Sequence, residues 1–297
     1  MFKLPFGVDA NNLIDDLRIF SWEAADIFLF YSQLLKNSNS KSNIIKNDNV
    51  DDPVTLADLK VNELIIERIN QKYTNTDWGI LSEENTKISS NKTLNKKNWL
   101  WVLDPLDGTK DFIQGSGDYA MHLALNYKQK SFIGLVLIPE KNELWITNGK
   151  NTWCESRDGK KLEYNLSKKR NLNEMTIVTS KNHSNLVLKN LIEKINFRKV
   201  IHMGSIGCKI SSILRGESDI YISLSLEGKS APKDWDFAAP AAILKAAGGA
   251  ITNLDNQEIS YNHENYEQRG LIIASSNSQI HGDICSRIKD MTKEFKI

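Results

Sequence analysis

The chain has 297 residues, 40% of them hydrophobic and 25% charged, a composition that supports one large folded unit or two tightly joined ones. Its 38 basic and 37 acidic residues leave a formal net charge of +1. That balance excludes a general binder of nucleic acid polymers or membrane surfaces, which needs a basic excess or stripe, but not the binding of a small anion, which local charge governs.

The N-terminal MFKLPFGVDANNLIDDLRIFSWEA lacks the uninterrupted apolar run of a signal peptide. No stretch approaches the roughly 18 apolar residues of a membrane span, so a cytoplasmic location without a transmembrane segment is expected. Residues 11–36 carry Leu13, Ile14, Leu17, Phe20, Ala24, Ile27 and Phe28 at helical spacing. The polar NSNSKSNIIKNDNVDD (37–52) reads as a mobile loop. A second helix is predicted from near Thr55 through ADLKVNELIIERINQKY, with Val61, Leu64, Ile65 and Ile69 on its apolar stripe. WLWVL (99–103) reads as a buried strand that stops at Asp104-Pro105. Runs at 119–126, 132–138 and 143–147 read as consecutive strands.

The polar SKKRNLNE (167–174) is the predicted boundary, dividing the chain into 1–170 and 171–297. Beyond it, strand-like 176–180, a helix near 184–196, strand-like 199–203, a helix at 207–215 and strand-like 219–223 alternate as in an α/β unit. A final helix is predicted over 236–247, stopped by Gly248-Gly249. The expectation is an α+β N-terminal half packed on an α/β C-terminal half. Cys154, Cys208 and Cys285 are far apart and odd in number, and read as idle thiols. The sequons at 91–93 and 182–184 read as chance matches.

The densest chemical signal is WVLDPLDGTKDF (101–112). A strand delivers Asp104, a proline turn follows, and Asp107 comes three residues later, so the two carboxylates can face one point. The Leu106 carbonyl between them offers a neutral oxygen, and oxygen-only ligands suit Mg²⁺. Gly108 and Thr109 open a helix whose free N–H groups suit a phosphate. Alone, DPLDG reads equally as a surface turn. Three further acidic elements change the weighting. LSEEN sets Glu83 and Glu84 after Ile80-Leu81. DPVTLAD sets Thr55 and Asp58 at a helix start, where capping is also expected. DWDFAAPAAILKAAGG sets Asp236 in a first helical turn. The histidines 122, 183, 202, 263 and 281 form no ligand spacing and read as surface or core residues.

These four motifs, in this order over about residues 15–275, resemble the inositol monophosphatase superfamily of metal-dependent, lithium-sensitive phosphatases. Within it the chain looks most like the CysQ-type 3′(2′),5′-bisphosphate nucleotidases, on the DPLDGTKDF ending and the Lys-Asp-Trp-Asp run around Asp236. The resemblance implies a layered α/β/α/β/α sugar-phosphatase fold. It implies Mg²⁺, two or three ions, held by Glu83, Asp104, Leu106 (through its carbonyl), Asp107 and Asp236. Asp58 and Thr109 match the pair that orients and deprotonates the attacking water. Substrate is implied to meet Glu83, Leu106, Asp107, Gly108, Thr109, Ser205, Lys209 and Asp236.

The implied reaction is hydrolysis of the 3′-phosphate of 3′-phosphoadenosine 5′-phosphate, giving AMP and phosphate, with its sulfated form as a further substrate. The alternatives are an inositol-1-phosphate phosphatase and an inactive scaffold relative. One departure stands out: many such nucleotidases carry Arg where this chain has Ser223, and Lys229 or Lys233 is the expected substitute. No heptad or interface stripe is visible, and a homodimer is left open.

Overall fold

Side-chain alternation along one strand sets the layering of the molecule. Trp101 and Leu103 face one core while Leu100 and Val102, on the other side of the same strand, face a second. The computed structural model describes residues 4–36, 41–47, 53–88, 94, 97–182, 185–262 and 265–295. Its N-terminal elements are α1 (Ala10–Lys36), α2 (Lys41–Ile44), β1 (Ile45–Asn47), β2 (Val54–Thr55), α3 (Leu56–Lys72), β3 (Gly79–Ser82), α4 (Glu83–Ile88), β4 (Trp99–Asp107) and α5 (Thr109–Gln114). There follow β5 (Ala120–Tyr127), β6 (Lys130–Ile138), β7 (Glu143–Thr147), β8 (Thr152–Glu155) and β9 (Lys161–Leu162). The remainder is β10 (Thr176–Ser180), α6 (Leu186–Ile195), β11 (Lys199–Met203), α7 (Ile206–Leu214), β12 (Ile220–Ser225), α8 (Asp234–Ala246), β13 (Ala250–Asn253), β14 (Gly270–Ser275) and α9 (His281–Thr292).

A seven-stranded sheet runs β3-β4-β5-β6-β7-β8-β9, and a five-stranded sheet runs β11-β10-β12-β14-β13. On the outer face of the larger sheet, Leu13, Leu17 and Phe28 of α1 and Val61 and Ile65 of α3 pack on Trp101, Leu123 and Leu135. Between the sheets, Ile210 and Ile213 of α7 and Phe237 and Ile243 of α8 share one core with Val102, Ala124, Val178 and Ile272. Beyond the smaller sheet, Leu191 of α6 and Ile284 and Ile288 of α9 pack on Ile177, Ile220 and Ile273. The order is therefore helix, sheet, helix, sheet, helix, the expected α/β class. The sheets divide the chain between Leu162 and Thr176, while the central core draws on both sides of that division.

The alanine-rich α8 lies close on the larger sheet because Gly134 of β6 carries no side chain. A Cβ there would stand 2.8 Å from the Ala239 carbonyl oxygen. This brings the first turn of α8, with Asp236, down to the end of β4.

Several sequence expectations need correction. The expected loop at 37–52 contains α2 and β1, and β1 pairs antiparallel with β2; its residues 37–40 and 48–52 lie outside those described, as do the sequon at 91–93 and His183, Ser184 and His263. The strand at 99–103 does not stop at Asp104-Pro105. It continues to Asp107 through an irregularity opposite β5, because a bulge accommodates the proline without ending the pairing. The helix at 236–247 begins at Asp234 and is not the last one, since α9 follows.

Candidate active site

The bulge at the end of β4 turns two carboxylates toward one place. Asp104 is 1% exposed, and its Oδ1 accepts the Leu106 N–H at 3.0 Å, which fixes the turn between the acids. Asp107 directs Oδ2 at the start of α7. There it accepts Ser205 Oγ at 2.7 Å, Gly207 N at 3.3 Å and the Ile206 N–H. Its side chain is thereby held by a helix N-terminus, where a negative charge is favoured.

Glu83 and Asp236 arrive from other elements. Glu83 is the first residue of α4, directly after β3, which pairs in parallel with β4. It lies close enough to Asp104 to raise that carboxyl, and Lys87 Nζ stands 3.1 Å from its Oε1 and 3.0 Å from Oε1 of the adjacent Glu84. Asp236 accepts the Lys233 N–H at 2.5 Å, capping α8.

Burial first, then repulsion by Glu83, Asp107 and Asp236, pushes the Asp104 carboxyl well above the usual carboxylate range. Burial, then Asp107 and Glu83, does the same for Asp236, against the Lys233 N–H and the Lys209 ammonium. Like charges this close resist joint ionisation. Glu83, Asp104, Asp107 and Asp236 thus lie near enough to repel one another.

Asp58 serves two partners with its two oxygens. Oδ2 accepts Thr55 N at 2.7 Å and Thr55 Oγ1 at 2.5 Å, completing a capping box at the start of α3. Oδ1 is left for Thr109 Oγ1, at 3.2 Å. Thr109 Oγ1 also lies 3.0 Å from the Leu106 carbonyl oxygen. Burial raises the Asp58 carboxyl to about 7, despite the lowering effect of Thr55, with Glu84 and Glu83 adding to the rise. A group poised there can exchange a proton at neutral pH.

Gly108 precedes α5 in the left-handed region, at φ +91°, and a Cβ on it would stand 2.9 Å from the Asp118 carbonyl oxygen. Only glycine meets both conditions without strain. Ser205 and Lys209, both expected at substrate, spend their polar atoms inside the protein. Ser205 Oγ holds Asp107 and accepts the Cys208 N–H at 3.2 Å. Lys209 is 3% exposed, with Nζ 3.1 Å from the Ser205 carbonyl oxygen and 5.6 Å over the Tyr221 ring; burial lowers its pKa, opposed by Asp107. Lys233, an expected substitute for the missing arginine, directs its ammonium to Glu267 Oε1 at 3.0 Å. Arg269, just before β14, pairs with the same Glu267 and donates from Nη1 to the Leu226 and Lys229 carbonyls at 3.3 and 3.2 Å.

The residue that sequence reasoning passed over is His122. It is fully buried, with Nε2 3.3 Å from Asp107 Oδ2 and Nδ1 4.0 Å from Asp104 Oδ2, and the three side chains make a compact group able to hold a metal ion. The signal was present in AMHLAL. Ala120, His122 and Ala124 alternate with Met121, Leu123 and Leu125, so the histidine faces the central layer with the small residues.

A divalent cation suits this donor set. The donors are chiefly carboxylate and carbonyl oxygens, which favour hard ions, and such an ion would offset the repulsion that raises Asp104 and Asp236. Among the described residues, no helix is long and apolar enough to cross a membrane.

The inositol monophosphatase family model matches residues 20–293. The 3′(2′),5′-bisphosphate nucleotidase CysQ of Buchnera aphidicola is 29% identical over 233 residues, 76% of this chain and 80% of that protein. Its counterpart in Escherichia coli K12 is 26% identical over 212 residues, 70% and 79% of the two chains. Among solved structures, Thermotoga maritima IMPase superposes with a TM-score of 0.72 at 20% identity, covering 95% of this chain and 99% of that one. CysQ from Bacteroides thetaiotaomicron gives 0.68 at 22%, covering 89% and 98%. The last two establish the fold, and the family match spans nearly the whole chain. The chain belongs to the inositol monophosphatase family and is, with it, a phosphoric monoester hydrolase.

Proposed function

We propose that the chain removes the 3′-phosphate of 3′-phosphoadenosine 5′-phosphate, or of its sulfated form, giving AMP (or the 5′-phosphosulfate) and inorganic phosphate. The observation that carries the chemistry is the convergence of Glu83, Asp104, Asp107 and Asp236, two of them held above the usual carboxylate range. The choice of a nucleoside bisphosphate rests on the CysQ nucleotidases to which the chain is similar.

In this reading Glu83, Asp104, the Leu106 carbonyl, Asp107 and Asp236 would hold Mg²⁺, two or three ions. When bound, the ions supply a lowered pKa for water and a countercharge for the phosphoryl group. The rest is done by the chain. Thr109 has one hydroxyl proton for two acceptors, Asp58 and the Leu106 carbonyl. With that carbonyl engaged elsewhere, the hydroxyl donates to Asp58 and leaves its lone pairs to orient the attacking water. Asp58, near neutrality, takes up the proton released through this link. The N–H groups of Gly108 and Thr109 hold the phosphoryl oxygens as their charge redistributes.

The test is phosphate release from 3′-phosphoadenosine 5′-phosphate, AMP and inositol 1-phosphate, each with Mg²⁺ and with EDTA. Mg²⁺-dependent release with strong preference for the bisphosphate is expected. A preference for inositol 1-phosphate would overturn the substrate assignment, and no release from any phosphomonoester would point to a scaffold.

A further inference from the structure

His122 sits in the middle of β5, directly opposite Asp104 in the β4–β5 ladder. Its ring spans the elements that carry three of the four carboxylates. On one side, Nδ1 lies 3.4 Å from the carbonyl oxygen of Trp235, the residue before Asp236. That oxygen can only accept, so the contact requires the proton on Nδ1. On the other side, Nε2 faces Asp107 Oδ2 at 3.3 Å without the alignment of a hydrogen bond, and it has no other partner. The ring fits because the second residue of α7 is Gly207, where a Cβ would collide with Nε2.

We infer that His122 is a positioning residue for the carboxylate group. Its Nδ1–H holds the Trp235 carbonyl, and its other edge packs against Asp107 and Gly207. The ring thereby sets the distance between the end of β4, with Asp104 and Asp107, and the first turn of α8, with Asp236. The neighbours of His122 on the same strand face are Ala120 and Ala124, too small to bridge. A rigid planar group with one donor suits the task, because carboxylates that repel one another drift apart unless their backbones are tied.

This inference rests on the proposed role of those carboxylates as cation ligands, and the test separates the two. Mg²⁺ and Mn²⁺ binding to the full chain is measured by titration calorimetry, with folding followed by circular dichroism. His122→Leu fills the space without a donor, His122→Asn keeps an N–H near the Nδ1 position, and His122→Gln places one near Nε2. His122→Leu is expected to weaken cation binding by about 10–100-fold, with His122→Asn recovering most of the loss and His122→Gln less. A wild type that binds neither ion overturns the carboxylate assignment and the inference with it. A wild type that binds, beside a folded His122→Leu that binds equally well, overturns the inference alone. If His122→Leu does not fold, the amide pair decides: tighter binding by Asn supports the role, and equal binding by Asn and Gln overturns it.

Discussion

Thr109 Oγ1 lies 3.2 Å from Asp58 Oδ1, although 51 residues separate them. The contact joins the start of α3 on the outer face to the start of α5 beside the carboxylates. In the proposed mechanism it also gives the Asp58 carboxyl, raised to about 7 by burial, a route to the reacting water. Activity limited by that base is expected to rise with pH and level off above about 7. Asp58→Asn should remove this limb and lower kcat by about 10²–10⁴-fold. A pH–rate profile of both proteins at saturating Mg²⁺ checks it.

Stability should move the opposite way. Asp58, Asp104 and Asp236 have folded-state values raised above their unfolded ones, so the native state binds more protons. Their contribution is fully present below the unfolded carboxylate range and is lost as pH rises through the folded values. In EDTA the melting temperature is therefore expected to fall between about pH 4 and 7 and beyond. Added Mg²⁺ should restore more stability at pH 8 than at pH 5. Scanning calorimetry across that range, with and without the ion, is the measurement.

Asp104→Asn separates stability from function. The substitution removes one charge from a buried group of four while keeping the side-chain shape. In EDTA the variant is expected to melt higher than wild type, because the repulsion from Glu83, Asp107 and Asp236 is relieved. Its Mg²⁺-induced rise in melting temperature and its turnover should both disappear. A variant that melts lower in EDTA would contradict the repulsive account.

Gly108→Ala tests the turn between the proposed metal and phosphate sites. The alanine would sit at φ +91°, with its Cβ 2.9 Å from a backbone oxygen. A loss of about 1–3 kcal/mol is expected from the conformation alone, together with a fall in kcat as the Thr109 hydroxyl moves off Asp58. Urea unfolding and steady-state kinetics report the two effects separately.

The parts legible in the sequence were those set by nearby residues. WVLDPLDGTKDF carries its own strand and helix start, so Asp104, Asp107 and Gly108 could be set near the end of a strand, although that strand runs on through both acids instead of stopping at Asp104-Pro105. The helices at 10–36 and 56–72 were equally plain, because their apolar positions repeat at three and four. Most of what was missed is short or polar, though the apolar six-residue β14 was missed too. The strands β8 and β9 have four and two residues, and the hydrophobic residues that α9 buries are Ile284, Cys285 and Ile288, among charged neighbours. Periodicity has little to register in such segments.

By itself, the sequence determined which side chains are acidic and where each sits on its own element. It did not decide that Glu83, Asp104 and Asp236 should meet. Four carboxylates repel, and no local preference draws them together. Their meeting follows from Gly134 admitting α8 onto the larger sheet, from the parallel pairing of β3 with β4, and from the central core that locks both arrangements. His122 shows the same limit: its place opposite Asp104 is a matter of register between two strands, and register exists only once the sheet has formed.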